Sequence, residues 1–246
     1  THSDSVKSVL DKIQPDIIYH FAANPIVKHN VDKPNDLLMD NVIGTNNLLN
    51  YCKPNTRFIL ASSITVYADN QLNHEHADVR AKSVYATSKI ACENLLWVYR
   101  EYKGIIPTAV RLGATIGKKM THGLIPDLVR KLKDNNETLE LIGSKPGTSK
   151  VFTHVDDVID GLLLLKNKEV DIVNLCLHDN ISVEKITELA QSCLNISKPI
   201  SWTGSTWKGD NLILRANNSL AINLGWRPKY NTSEKAIERC FNEYLE

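Results

Sequence analysis

Residues 57–63, Arg-Phe-Ile-Leu-Ala-Ser-Ser, predict a buried β-strand that ends in two hydroxyl groups. An apolar run without alternation is typical of a strand covered on both faces of a parallel sheet. Similar runs occur at residues 16–21 and 107–112, and apolar residues with helical spacing separate them at 36–52 and 85–102. The alternation predicts an α/β fold with a doubly wound, Rossmann-like parallel sheet, in which 16–21 is a buried strand.

After Gly117 the segments become shorter and are interrupted by glycine and proline. We expect residues 1–118 and about 150–178 to form the sheet domain. About 119–149 and 179–246 are expected to form a smaller α/β lobe that closes over the carboxyl edge of the sheet. Open α/β sheets bind their ligands at that edge.

The composition is that of a soluble globular protein, with 42% hydrophobic residues and a net charge of +1 over 246 residues. This charge gives no reason to expect nucleic acid or an anionic membrane as a partner. No run approaches the roughly 20 apolar residues of a membrane span, and the polar N-terminus resembles no signal peptide. The five cysteines form no Cys-x-x-Cys pair, which favours a reducing, cytoplasmic location. His74-Glu75-His76 is interpreted as an ordinary polar loop, and no metal is expected.

Tyr85 and Lys89 form a Tyr-x-x-x-Lys pair inside the second predicted helix. Residues four apart share a helical face, so we expect the ammonium to lower the pKa of the tyrosine and make it a usable base. Tyr99 and Lys103 match the same pattern, so the pair alone is weak. The first pair is favoured because it begins its helix near the carboxyl edge, where Ser63 ends a strand.

The order of several segments resembles that of the extended short-chain dehydrogenases. Within them it resembles the NAD-dependent epimerase/dehydratase group, which includes UDP-glucose 4-epimerase. The resemblance runs from about Ser5 to the C-terminus. The segments are PDIIYHFAA, NVIGTNNLL, FILASSITVYAD, YATSK, VRLGATIG, KVFTHVDDVIDGLL and LGWRPKYNTSEKAI.

The resemblance implies catalytic roles for four residues. Tyr85 corresponds to the base, Lys89 to its partner on the nicotinamide ribose, and Ser63 to the hydroxyl that bonds the reacting sugar oxygen. Asn41 corresponds to an asparagine that helps to hold this centre. The implied cofactor-binding residues are Phe21, Ala22, Ala23, Asn24, Asn41, Ala61, Tyr85, Lys89 and Gly113. The implied substrate-binding residues are Ser63, Thr65, Tyr85, Ala114, Lys150 and Lys208.

The sequence departs from the family pattern at several of these positions. Lys150 and Lys208 stand where arginines are common, so they supply charge without a bidentate fork. Ala114 replaces an asparagine that contacts the sugar. Ile64 and Thr65 replace the acidic pair of the sugar 4,6-dehydratases, which disfavours dehydration.

A further departure is the Gly-x-x-Gly-x-x-Gly turn, which the sequence does not contain. We therefore expect the first βα units of the fold, about 50–60 residues, to be missing ahead of Thr1. The expected cofactor is NAD, and NADP stays open because the residue that distinguishes the two belongs to those units.

These features predict an NAD-dependent nucleotide-sugar epimerase, acting at C4 of a UDP-hexose through a transient 4-keto intermediate. One alternative is an NADPH-dependent reductase of a keto sugar or another carbonyl, and a second is a noncatalytic dinucleotide-binding relative. The apolar surface of helix 85–102 exceeds what one sheet covers. In the resembled family such helices pair two subunits, so a homodimer through helices 36–52 and 85–102 is expected.

Overall fold

The computed structural model describes residues 2–26, 33–68, 71–206 and 210–245. Its α-helices are α1 (Ser3–Ile13), α2 (Pro34–Leu38), α3 (Gly44–Tyr51), α4 (Val84–Lys103), α5 (Leu124–Lys133), α6 (Val155–Leu165), α7 (Val183–Leu194), α8 (Ser219–Leu224) and α9 (Ser233–Glu243). Its strands are β1 (Ile17–His20), β2 (Arg57–Ser63), β3 (Leu72–Asn73), β4 (Ile106–Leu112), β5 (Ala114–Ile116), β6 (Leu139–Leu141), β7 (Ser149–Lys150), β8 (Phe152–His154), β9 (Ile172–Leu175), β10 (Ile181–Ser182), β11 (Ile200–Trp202) and β12 (Arg215–Ala216).

The main sheet is parallel and runs in the order β1-β2-β4-β9. The predicted α/β fold is confirmed, and β2 is buried along its whole length. The prediction of a buried first strand is wrong in part, because Ile17 of β1 is 37% exposed. Among the described residues β1 pairs only with β2, so one of its edges lies at the margin of the sheet. Periodicity reports apolar character and carries no information about which strands flank a segment.

Successive residues of β2 face two different hydrophobic clusters, as the pleat of a strand requires. Phe58 and Leu60 pack with Cys92 and Leu96 of α4. Ile59 packs in the larger cluster, to which α5, α6, α7 and α9 also contribute. The division into a sheet domain and a smaller lobe stays a prediction, since this larger cluster draws on segments assigned to both.

Helix α4 has clear start and stop signals. The Ser83 hydroxyl accepts a hydrogen bond from the backbone N–H of Ala86 at 3.2 Å, which satisfies one of the free donors of the first turn. Gly104, at φ +67°, ends the helix in the left-handed region. The single helix predicted over 36–52 is instead α2 and α3 joined by a π-helical turn, Met39–Ile43.

The C-terminal segment is tied to α6 through the buried carboxylate of Asp157. It accepts hydrogen bonds from the backbone N–H groups of Lys229 at 2.6 Å and Tyr230 at 3.0 Å. The His154 side chain caps α6 by accepting a hydrogen bond from the N–H of Asp156. Within the described ranges, no helix is both long enough and apolar enough to cross a bilayer.

Candidate active site

The carboxyl end of β2 presents the Ser63 hydroxyl at the edge of the sheet. Ser63 caps a short 3₁₀ turn, Ile64–Val66, and its Oγ accepts hydrogen bonds from the backbone N–H and the hydroxyl of Thr65, at 3.2 and 3.0 Å. Ile64 is buried. Ser63 is thus held by its own chain, while the Thr65 hydroxyl lies beside it at the same edge.

Tyr85 and Lys89 lie on the first turns of α4, next to this strand end. The Ser63 hydroxyl is close enough to the Tyr85 phenol to lower its pKa. The Lys89 ammonium lies 5.6 Å from the centroid of the Tyr85 ring and donates to the carbonyl of Ala61 at 2.8 Å. The structure therefore brings together Ser63, Tyr85 and Lys89, which we call the strand-end cluster. Tyr99 of the second Tyr-x-x-x-Lys match instead donates to Asn46.

The expectation that Lys89 lowers the pKa of Tyr85 is wrong for this structure. Burial raises the pKa of Tyr85 to about 12, and the Ser63 hydroxyl opposes that rise only in part. The ammonium is directed at the Ala61 carbonyl, which explains why it does little for the phenolate. Burial also lowers the pKa of Lys89, while Cys92 and Glu93 raise it. Desolvation thus disfavours the charged form of both groups.

The Asn41 side chain links two parts of the site through hydrogen bonds. Its Oδ1 accepts from the backbone N–H of Asn24 at 2.6 Å, and its Nδ2 donates to the Asn24 carbonyl at 3.2 Å and to the Ser88 hydroxyl at 3.0 Å. The side chain is buried within the π-helical turn. In this structure Asn41 positions the loop after β1 against α4 through contacts with protein groups.

The residues expected at the cofactor lie on both sides of the strand-end cluster. Phe21 and Ala22 are exposed after β1, with Ala23 and Asn24 half-buried. The Phe21 ring stacks on Tyr19 with 6.5 Å between centroids. A Cβ on Gly113 would lie 3.1 Å from that of Cys176, closer than most such contacts, so packing favours glycine there. Ala114 begins β5 beside Phe152. An exposed segment, a phenol and an ammonium are groups that can bind the nicotinamide-ribose half of a dinucleotide.

Lys150 lines a separate cavity of about 580 Å³ between α5, α7 and strands β6 and β7. Its ammonium lies 2.8 Å from a carboxylate oxygen of Asp210, whose side chain is 8% exposed while that of Lys150 is 32% exposed. The volume is within the usual range for small-molecule sites. Apolar side chains, including Leu141, Phe152 and Ile186, line part of the cavity, and polar ones such as Asp127 and Lys131 also line it. The other predicted lysine, Lys208, lies outside the described residues.

The sequence analysis missed a buried ion pair behind the strand-end cluster. Arg111 of β4 and Glu93 of α4 are 3% and 4% exposed, with 2.6 Å between Nη2 and Oε2. One signal was available, since an arginine inside an apolar strand needs a buried partner. Glu75 of the His-Glu-His loop belongs to the same region, because its carboxylate accepts from the N–H of Asn174 at 2.9 Å.

His20, at the end of β1, is a second residue that was missed. Its Nε2 lies 2.9 Å from the Thr45 hydroxyl, which itself donates to the carbonyl of Asn41. Burial, together with the charge of Lys89, lowers the pKa of His20 from 6.5 to about 4. The imidazole is therefore neutral at physiological pH, and its hydrogen bond with Thr45 holds α3 against the end of β1.

Comparison with known proteins places these observations in context. Residues 1–176 match the model of the NAD dependent epimerase/dehydratase family. The chain is 30% identical over 198 residues to a GDP-6-deoxy-D-talose 4-dehydrogenase of Aggregatibacter actinomycetemcomitans, covering 77% of this chain and 65% of the relative. It is 28% identical to UDP-glucuronic acid decarboxylase 3 of Arabidopsis thaliana, covering 90% of this chain and 68% of the relative. The chain thus spans about two thirds of the length of these relatives.

The fold is also found among solved structures. The structure of the Thermus thermophilus UDP-glucose 4-epimerase in complex with NAD superposes with a TM-score of 0.88 at 22% identity. The match covers 99% of this chain and 82% of that protein. At this identity the likeness establishes a shared architecture.

The neutral His20 predicts a loss of stability in mild acid. Its folded pKa of about 4 lies below the value of 6.5 expected when unfolded, so acidification protonates the unfolded chain first. The wild type should lose roughly 2 kcal/mol more of its free energy of unfolding between pH 7 and pH 5 than His20→Gln. Urea unfolding at both pH values measures this. His122→Gln, at an exposed histidine, is the control and should keep the wild-type loss. Equal losses in all three proteins would refute the prediction.

Proposed function

This chain belongs to the NAD dependent epimerase/dehydratase family, and we propose from that premise that it epimerises a nucleotide sugar at C4, most simply a UDP-hexose. The single observation that carries the proposal is the strand-end cluster. A hydroxyl, a phenol and an ammonium converge at the carboxyl edge of a parallel sheet, where α/β folds bind their ligands. These groups can hold and move one alcohol proton.

In the proposed reaction the Ser63 hydroxyl holds the sugar oxygen that reacts. Tyr85 Oη accepts the proton of that oxygen when the 4-keto sugar forms and returns it when the alcohol is restored. Lys89, 5.6 Å from the Tyr85 ring, would hold the nicotinamide ribose beside the phenol, while the Ser63 hydroxyl opposes the burial that raises the pKa of Tyr85. NAD, when bound, supplies the redox chemistry at the sugar carbon.

The cofactor in this proposal is held by residues around the cluster. Lys89 and Tyr85 would bind the nicotinamide ribose, and the exposed segment 21–24 would lie along the dinucleotide. Asn41 fixes that segment through Asn24. Gly113 would line the nicotinamide pocket, where the close approach of Cys176 favours a residue without a side chain.

The nucleotide in this proposal occupies the cavity that Lys150 lines. Its ammonium would bind the diphosphate as a point charge, and the apolar wall of Leu141, Phe152 and Ile186 would cover the base. The sugar would then extend toward Ser63, Thr65 and Ala114. Lys208, a proposed second phosphate contact, is assigned from the sequence alone.

The turn after β2 favours epimerisation over dehydration. Dehydration needs an acid and a base besides the tyrosine, to expel a hydroxyl group and remove a proton. Ile64 is buried and apolar, and the Thr65 hydroxyl is engaged with Ser63. Neither side chain can act as a carboxylate at this position.

A second candidate is reduction of a keto sugar with a nicotinamide cofactor that is consumed. The observation that favours it is the 30% identity to a GDP-6-deoxy-D-talose 4-dehydrogenase. The same hydroxyl, phenol and ammonium would serve, with Tyr85 donating a proton to the carbonyl oxygen. A stoichiometric requirement for added NADPH distinguishes this reaction from epimerisation.

The proposal includes a homodimer through α4 and the helical segment 34–51. These helices lie side by side, joined by a hydrogen bond of 3.0 Å between Tyr99 and Asn46. Val98 and Tyr102, one turn apart on α4, are 61% and 78% exposed, and Met39 and Ile43 on the neighbouring segment are also exposed. A second copy that packs two such helices against these would bury the apolar side chains.

Tyr102→Glu should convert the dimer into a monomer in sedimentation velocity, because the carboxylate would be buried against the apolar face of the second copy. Leu163→Glu is the control, since Leu163 is an exposed leucine on α6, away from this face. That variant should stay dimeric. A wild type that sediments as a monomer, or two variants that behave alike, would contradict the assignment.

Tyr85→Phe should lower the turnover of the full-length protein by roughly two to four orders of magnitude, since it removes the proton acceptor. The measurement is proton NMR of a panel of nucleotide sugars incubated with NAD. Tyr99→Phe, in the second Tyr-x-x-x-Lys match, should keep wild-type turnover. No inversion of any sugar by a wild type that binds NAD would exclude epimerisation and favour the reductase.

A further inference from the structure

Glu93 lies one helical turn after Lys89 and is 4% exposed. Its carboxylate accepts three hydrogen bonds, from the Ser62 hydroxyl at 2.5 Å and from the Nε and Nη2 of Arg111 at 3.0 and 2.6 Å. The group is thus fixed by partners on two different strands. Within the described part of the chain, the Glu93 carboxylate makes no hydrogen bond to Ser63 or Lys89.

Arg111 extends these contacts to a third strand. Its Nη1 donates to the Tyr67 hydroxyl at 2.8 Å and to the carbonyl of Glu75 at 3.0 Å. The Tyr67 hydroxyl donates in turn to Asn174 of β9 at 2.7 Å. Ser62, Tyr67, Glu93, Arg111 and Asn174 form what we call the Glu93 network. It fastens α4 to the carboxyl ends of β2, β4 and β9.

We propose that Glu93 is a positioning residue, which holds the Ser62–Ser63 strand end and the Lys89 ammonium in register for proton transfer. This inference rests on the proposed function. The alternation along β2 directs Ser62 toward α4, so fixing its hydroxyl fixes the backbone from which Ser63 and the Ala61 carbonyl project. Lys89 donates to that same carbonyl.

The charges around Lys89 support a second effect of Glu93. Tyr85, Cys92 and Glu93 face it from α4, His20 faces it from β1, and Arg111 on β4 is engaged by Glu93. Burial lowers the pKa of Lys89, and Cys92 and Glu93 raise it. The pKa of the Cys92 thiol is raised by burial and that of His20 is lowered to about 4. The ion-paired carboxylate of Glu93 is therefore a fixed negative charge that opposes the lowering of the Lys89 pKa by burial.

The test begins with the titration of Lys89 in protein free of cofactor and substrate. Carbon NMR of ¹³C-labelled lysine, assigned with Lys89→Met, follows the Cε signal as the pH rises. In Glu93→Gln the midpoint should move to lower pH, because the glutamine keeps the shape and loses the charge. Glu93→Asp, which keeps the charge, should titrate closer to the wild type. An unchanged midpoint in Glu93→Gln overturns the electrostatic part of the proposal.

Turnover tests the positioning part. In Glu93→Gln we expect kcat to fall on the order of 10- to 100-fold, as for a slight misplacement of reacting groups, with KM nearly unchanged. The alkaline limb of the pH profile should move in the same direction as the Lys89 midpoint. If the wild type turns over no sugar while the titration behaves as expected, the proposed function fails and the electrostatic role of Glu93 stands.

A double variant separates positioning from simple structural support. Glu93→Leu with Arg111→Met replaces the ion pair by apolar side chains of similar volume, which commonly preserves folding stability. We expect this protein to fold, with an unfolding temperature somewhat below that of the wild type because Ser62 and Tyr67 lose buried partners, while its kcat stays low. Wild-type kcat in the folded double variant would show that the network only supports the fold and would overturn the proposal.

Discussion

The alternation of side chains along β2 is the constraint on which the site depends. Phe58 and Leu60 face α4, and Ile59 faces the larger hydrophobic cluster. The same alternation carries Ser62 into contact with Glu93 and leaves Ser63 free to meet Tyr85 beyond the sheet edge. A shift of one residue in the register between β2 and β4 would exchange the two serines. The parallel pairing that sets Ser63 opposite Leu112 therefore determines both how β2 packs and which serine reaches Tyr85.

Burial dominates the electrostatics of the site. It raises the pKa of Tyr85 and lowers those of Lys89 and His20, so each group is driven toward its neutral form. A reaction that needs a phenolate beside an ammonium therefore requires compensating charges close by. The ion pair of Glu93 and Arg111 supplies a fixed carboxylate on one side of Lys89.

Much of the fold and the centre of the site could be predicted because their signals are local. Apolar runs predicted the parallel sheet, and the spacing of Tyr85 and Lys89, with Ser63 at a strand end, predicted a cluster that the structure brings together. The exposure of β1 could not be predicted, since it depends on which strands are neighbours. The pKa of Tyr85 was expected to fall and rises instead, because burial depends on packing that the spacing of two residues does not reveal.

The other features that the sequence did not predict also depend on contacts between residues that are far apart in the chain. Glu93 meets Arg111 across 18 positions of the chain, and Lys150 meets Asp210 across 60. An arginine inside an apolar strand indicates that a buried partner exists, but a single sequence does not identify the partner of Arg111 or of Lys150. The π-helical turn that buries Asn41 likewise follows from its bonds to Asn24 and Ser88 and not from helical periodicity.

The central claim is that the strand-end cluster takes up and returns the alcohol proton at one sugar carbon, for which NAD would supply the redox chemistry. The most direct measurement uses the full-length protein with NAD and a UDP-hexose that carries deuterium at C4, followed by NMR. The account predicts a product with inverted configuration at C4 that retains the deuterium at that carbon, because the nicotinamide removes and returns the same atom. Inversion at C4 with loss of the deuterium to solvent would contradict the account. Recovery of the sugar with its deuterium at C4 and its configuration unchanged would contradict it too.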